Sequence, residues 1–311
     1  MNAHIRIGIS GWRYPPWRGT FYPKGLVQAR ELQYASHALP AIEINGSFYA
    51  LQTPARFENW AADTPEDFVF TVKAPRFITH ILRLQDPLSA MANFMASGLF
   101  ALGKKLGAVL WQFPPSMKFD PDQFEAFLKL LPHSAAEAAA LAVRREPRMH
   151  DKEMLTPAEG HTMRHAVEVR HDSFVCPAFV ALLRKYRVAM VVADTGGRWP
   201  EFEDLTADFV YLRLHGANQT YESGYSDKQL EHWAARIGQW SQGRQVSDAK
   251  LISDVAAASR SARDVFCFFD NTMKIKAPEN ARRLLTLLGL APETPKPTLI
   301  SGHKKGHKKD Q

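Results

Sequence analysis

Only two cysteines occur in 311 residues, and Cys176 and Cys267 stand in separate apolar stretches without metal-ligand spacing. That excludes a disulfide framework and a zinc knuckle, and both side chains read as buried thiols. No apolar run reaches the roughly 18 to 20 residues that a membrane helix needs. The opening MNAHIRIGIS passes into a strand pattern without the apolar core of a signal peptide, so a cytoplasmic protein with no membrane partner is expected. Glycine is missing where a dinucleotide fold requires it. Gly8, Gly11 and Gly19 lack the phosphate-fingerprint spacing after the first strand, which argues against Rossmann-type nucleotide binding.

What is present is the composition of a globular chain, 45% hydrophobic and 23% charged, with ample material for one large core. Of the net charge of +7, the tail contributes +3, because Lys304, Lys305, Lys308 and Lys309 outweigh Asp310. Residues 293–311 carry prolines and then SGHKKGHKKDQ without apolar periodicity, and are expected to be a disordered basic tail able to touch nucleic acid in a salt-sensitive way. A single domain over residues 1–292 precedes it.

That domain alternates strand and helix. Strand patterns occur in IRIGIS, AIEINGSFY, FVFTVKAP, AVLWQFPP, HAVEVRH, VAMVVADT, FVYLRLHG and DVFCFFDNT. Helices are predicted over 27–38, 54–62, 87–102, from Pro121 onward, over 177–185, 227–240 and 278–288, with prolines marking most starts. The segment SAAEAAALAVRRE adds an extra helix, and the link between Asp194 and Phe209 is too short for a full one. Eight such units predict an α/β fold, a closed TIM-like (β/α)8 barrel with an irregular or missing helix between strands 6 and 7.

Seven of the strands close on a polar residue: Glu43, Lys73, Gln112, Arg170, Asp194, His215 and Asp270. In a parallel barrel those ends gather at one mouth. Residues i and i+2 share a strand face, so Glu43 with Asn45, Glu168 with Arg170, and Arg213 with His215 point away from their apolar neighbours. Helices cover the outside of a barrel, so these polar residues face its axis. Four carboxylates (Glu43, Glu168, Asp194, Asp270) against three cations (Lys73, Arg170, Arg213) make a self-neutralising cluster, and a purely structural salt-bridge network is the plain alternative to a catalytic one.

The segments IGISGWRYPPWRGTFYP, EINGSFYALQ, FVFTVKAPRFITH, LGAVLWQFPP, HAVEVRHDSF, ADTGGRWP, ADFVYLRLHG and CFFDNT, spread over residues 7–290, resemble those of the domain of unknown function 72, or YecE-like, family. The resemblance implies a TIM-like barrel and supplies no activity, substrate or cofactor. At the level of fold it implies kinship with sugar isomerases and abasic-site endonucleases, which is analogy.

The chemistry is read from residue types. Glu43 and Glu168 are candidate acid and base, because a carboxylate crowded by others can have its proton affinity raised; Asp194, His215 and Asp270 complete the catalytic set. Lys73 could form a Schiff base, with ion pairing to a carboxylate as the alternative. Arg170 and Arg213 suit bidentate grip of a phosphate or carboxylate. Asn45, Gln112 and Asn271 are further substrate contacts; Trp12 and Tyr14 in the first loop, and Tyr221 and Tyr225 after His215, are candidates for stacking or for a lid. No cofactor is expected, and a divalent metal on His215 and the carboxylates is the lesser alternative. The function so read is a hydrolase or lyase acting on an anionic phosphorylated, sugar-containing or nucleic-acid substrate. A non-catalytic binder of nucleic acid or a small anion is the alternative.

Overall fold

The computed structural model describes residues 3–157, 160–216, 224–271 and 276–291. Eight parallel strands, β1 (Ile5–Ser10), β2 (Ala41–Ile44), β3 (Val69–Lys73), β4 (Leu106–Gln112), β5 (His165–Glu168), β6 (Ala189–Asp194), β7 (Phe209–Leu214) and β8 (Asp264–Phe269), pair in sequence order, and β8 returns to β1. The barrel is closed, as the strand–helix alternation predicts.

Period-2 alternation builds two apolar layers. Ile7, Ile9, Ile42, Ile44, Val72, Trp111, Val167, Leu212 and Cys267 face outward into the layer beneath the helices. Ala41, Ala108, Leu110, Ala166, Ala189, Val191, Tyr211, Phe266 and Phe268 fill the interior. The interior is lopsided: rings from β7 and β8 occupy it, and small residues from β1, β2, β4 and β5 make room for them. Gly8 is the extreme case, since a Cβ there would lie 2.0 Å from the Ala41 carbonyl oxygen and 3.2 Å from the Phe268 ring.

The covering elements are α1 (Glu31–Ala38), the single turn α2 (Gly46–Tyr49), α3 (Pro54–Ala62), α4 (Leu88–Ala96), α5 (Pro121–Lys129), α6 (Ala135–Val143), α7 (Pro177–Lys185), α8 (Asp227–Ser241) and α9 (Ala277–Leu287). Local chemistry starts them. Asp120 accepts from the Asp122 and Gln123 amides ahead of Pro121, and Ser134 with Glu137, and Ser226 with Gln229, form reciprocal capping boxes.

Two expected helices differ. The one predicted over 87–102 stops at Ala96, because Gly98 turns the chain at φ +108 where it meets Pro54, and a 3-10 run Leu99–Lys105 follows. The one predicted over 27–38 begins with a 3-10 turn, Gln28–Arg30. Between β6 and β7 there is no helix, as expected. Glu201 instead ties the loop by accepting from the Thr195 and Gly197 amides, and Asp204 accepts from the Ile252 and Ser253 amides. Cys267 is buried, whereas Cys176, expected to be so, is half-buried at the start of α7. Among the described residues no helix is long and apolar enough to cross a membrane. The basic tail lies outside the described residues.

Candidate functional site

At the carboxyl ends of the strands Arg213 is the hub. Its side chain is fully buried, and its Nε and Nη2 donate to the two oxygens of Glu43 at 3.1 and 2.9 Å. Nη1 donates to Glu168 Oε2 at 2.6 Å and Nη2 also donates to Asp270 Oδ2. One guanidinium thus serves three carboxylates. Glu43 further accepts from the Ser10 hydroxyl at 2.8 Å and from the Tyr211 hydroxyl at 2.7 Å, which fills the roughly four acceptor positions of a carboxylate.

This corrects two roles read from sequence. Arg213 was expected to grip an anionic ligand, but its donors are spent on carboxylates beneath the mouth. Glu168 was expected to have its proton affinity raised. Burial does push that way, yet the Arg170 and Arg213 guanidiniums outweigh it and hold the carboxyl well below the usual range. Arg170 donates to Glu168 Oε1 at 2.8 Å and remains one-fifth exposed. It lies 5.7 Å from the Trp199 ring, and Arg198 lies 5.0 Å from the same ring, so the rim on this side is cationic.

Lys73 differs from its neighbours. Among the described residues no carboxylate lies within ion-pair distance of it, contrary to the expected pairing, because the arginines have claimed the nearby ones. Its ammonium sits instead over the Phe48 ring, 4.3 Å from the centroid. Burial, followed by repulsion from Arg213, lowers its pKa to about 8. Phe48 comes from α2, whose Ser47 hydroxyl donates to the Lys73 carbonyl at 2.7 Å and so fixes the turn against the end of β3. The His80 ring meets Phe48 edge-on at 5.1 Å.

Four polar atoms here have no partner among the described residues: Asn45 Oδ1, His215 Nε2, and both Nδ2 and Oδ1 of Asn271. They follow β2, β7 and β8; Asn45 and His215 keep the inward parity of Glu43 and Arg213, whereas Asn271 has the outward parity of Cys267 and Phe269. His215 turns Nδ1 toward Asp270 Oδ2 at 3.6 Å, and burial and the adjacent Arg213 lower its pKa to about 4, which keeps it neutral. The Nδ1–H tautomer, inferred from that contact, leaves Nε2 as an open acceptor. Gln112 is also buried at the end of β4.

Other expected members lie elsewhere. Asp194 has the parity of Met190 and Val192, so it points out of the barrel and not into the cluster. It accepts from Trp233 Nε1 of α8 at 3.2 Å and from the Tyr225 hydroxyl, and burial raises its pKa. Tyr225 is buried against Phe269 and takes the Gly216 amide on its oxygen, so both residues join β6, β7 and α8. Trp12 is buried edge-on against Trp60, and Tyr14 leans on Trp17 and donates to the Ser10 carbonyl, so the first loop packs into the core. Tyr221 lies outside the described residues.

Among the described residues no group of three or more His, Cys, Asp or Glu side chains is placed to hold a metal ion. A cleft of about 450 Å³ lined by Arg184, Leu205 and Arg263 opens at the opposite, amino-terminal end of β7 and β8. It holds none of the unpartnered buried atoms, which makes the strand-end mouth the better candidate. Sequence reasoning missed Ser10, Tyr211 with the Thr71 hydroxyl hydrogen-bonded to it at 2.9 Å, Phe48 and His80. Tyr211 shares the parity of Arg213 and was readable; Phe48 and His80 reach the site from turns after β2 and β3, and no periodicity marks them.

Comparison with known proteins agrees with this architecture. Over 93% of the chain it is 24% identical to the UPF0759 protein YunF of Bacillus subtilis, covering 98% of that protein. It is 30% identical to the UPF0759 protein YecE of Escherichia coli over 41% of the chain and 44% of YecE. A DUF72 family protein of Thermotoga maritima superposes with a TM-score of 0.66 at 25% identity, covering 92% of this chain and 99% of that one. One from Enterococcus faecalis gives 0.65 at 20% identity, over 94% and 98%. The model of the family described as "Protein of unknown function DUF72" matches residues 6–301, from the first strand past the last helix. The match takes in the whole barrel together with its mouth, and the chain belongs to the DUF72 family.

Proposed function

We propose that the protein is an enzyme of the lyase or hydrolase type, acting on a small anionic, sugar-containing molecule held in the barrel mouth. The observation that carries this reading is the pair of unpartnered buried atoms on the inward-facing Asn45 and His215. Each costs roughly 1 to 3 kcal/mol when left unpaired. A polyhydroxylated ligand, with donor and acceptor on every hydroxyl, repays those costs, whereas an apolar one does not. Arg170 and Arg198 on either contact of Trp199 supply cationic donors at the rim for a phosphate or carboxylate.

Within this reading Glu43 and Glu168 are positioning residues that hold Arg213, and His215 and Lys73 are the groups left to touch substrate. The test is a panel of phosphorylated aldoses, ketoses and sugar acids, scored by thermal shift and by product formation in NMR. Asn45→Ala is expected to retain the fold and lose the shift. If no member of the panel raises the melting temperature, or if the shift persists in Asn45→Ala, the reading is wrong.

A further inference from the structure

We propose that Lys73 is a covalent nucleophile that captures an aldehyde or ketone carbon of the ligand as an imine. The inference rests on the reading of the mouth as a ligand site and adds to it the reacting group and the substrate class, a carbonyl compound.

The geometry singles out this amine. Lys73 ends β3 facing the barrel axis, only 9% exposed, in a site where Glu43, Glu168 and Asp270 are all bound to arginine. A lysine kept to neutralise the cluster would lie on one of those carboxylates. One kept to bind phosphate would stand in the open among other donors, the role that the proposed function gives to Arg170 and Arg198 at the rim. Lys73 instead rests on an aromatic face, and its backbone is pinned by the Ser47 hydroxyl. Desolvation without a counterion favours the neutral amine, and the lowered pKa of about 8 follows from it.

The step balances. The Nζ lone pair adds to the carbonyl carbon while the C=O π electrons move to oxygen, giving a carbinolamine. A proton leaves nitrogen and the hydroxyl departs with a proton as water, so amine, carbonyl and one proton yield a protonated imine and one water. His80, which shares the Phe48 ring with Lys73 and is kept neutral by burial and by the Lys73 charge, is a group available to take the proton from nitrogen and return it to the departing hydroxyl. The imine nitrogen then carries a positive charge beside the Asp270 and Glu168 carboxylates, which also drew on the original ammonium. Such a cation withdraws electrons from the adjacent carbon, the requirement for cleaving or isomerising a sugar chain.

The full chain is incubated with glyceraldehyde 3-phosphate, reduced with borohydride, and examined by intact mass and peptide mapping. Wild type is expected to gain one reduced ligand on Lys73, at least about ten-fold faster at pH 7.5 than on an average surface lysine, in line with its larger neutral fraction. Lys73→Met, which removes only an unpaired amine, is expected to fold and to lose the adduct. A thermal shift by the same aldehyde without an adduct overturns the imine and leaves the ligand site standing. Neither shift nor adduct overturns both. Labelling spread evenly over surface lysines, or undiminished in Lys73→Met, also refutes the capture.

Discussion

Arg213 and Glu43 form a bidentate pair, Nε to Oε2 at 3.1 Å and Nη2 to Oε1 at 2.9 Å, with neither side chain exposed to solvent. Planarity matters here, because the same guanidinium must also reach Glu168 and Asp270. Arg213→Met leaves three carboxylates facing one another without their shared cation. A loss of about 3 to 5 kcal/mol in urea unfolding is expected, as for other buried pairs broken on one side. Arg213→Lys keeps the charge but not the fork, and is expected to recover less than half of it. A variant within 1 kcal/mol of wild type would show the hub to be dispensable.

Lys73 predicts the opposite sign. Its folded pKa of about 8 lies below the ordinary value of 10.5. Between those pH values the unfolded chain binds more protons than the folded one, so the folded state gains stability as pH rises from about 8 to 10.5. Below about 8 the full penalty is present, on the order of 3 kcal/mol. Lys73→Met is therefore expected to be more stable than wild type at pH 7 by about 1 to 3 kcal/mol, and the difference to shrink toward pH 10. Chemical denaturation at pH 7 and pH 9.5 reads both. A destabilised Lys73→Met would mean that the ammonium has a compensating partner.

Gly8 is a packing requirement rather than a flexible joint. Its Cβ would meet the Ala41 backbone 2.0 Å away, and backbone at a β1–β2 ladder position cannot yield as a side-chain tip can. Gly8→Ala is expected to abolish soluble expression or to cost several kcal/mol. Gly25→Ala, at φ +82 with open space around it, is expected to lose only about 1 kcal/mol.

The barrel was legible because its signals are periodic. Strands alternate every second residue, and prolines and Asp120, Ser134 and Ser226 mark helix starts. Parity also placed Glu43, Glu168, Arg213 and His215 at one mouth, and the polar strand endings added Lys73 and Asp270. The same rule, applied to β6, puts Ala193 inside and Asp194 outside, so that miss lay in reading a polar strand ending without its parity. What parity does not encode is who pairs with whom across the axis. Arg213 takes all three carboxylates because it alone is long and forked enough to reach them from β7, and Lys73 is left unpaired by that competition. Contacts from turns are equally silent in sequence, which is why Phe48 and His80 were missed.

His165 offers the clearest acid response. Trp111 Nε1 donates to its Nδ1 at 3.1 Å, so Nε2 carries the hydrogen given to the Pro132 carbonyl at 2.6 Å. Protonating Nδ1 would set two donors head to head in a fully buried place, and burial lowers the pKa to about 3. Unfolded histidine titrates near 6.5, so the unfolded chain binds the extra proton first, and stability falls as pH drops from about 6.5 toward 3. His215, with a pKa of about 4, acts in the same direction. Each is expected to remove roughly 2 kcal/mol by pH 5, while the arginine-held Glu168 loses stability only at lower pH. His165→Gln can still accept from Trp111 and donate to Pro132, and it cannot titrate. Urea unfolding between pH 7.5 and 5 should show a shallower slope in His165→Gln than in wild type. Parallel slopes would mean that His165 is protonated in the folded barrel without penalty, and that the indole hydrogen bond does not fix its tautomer.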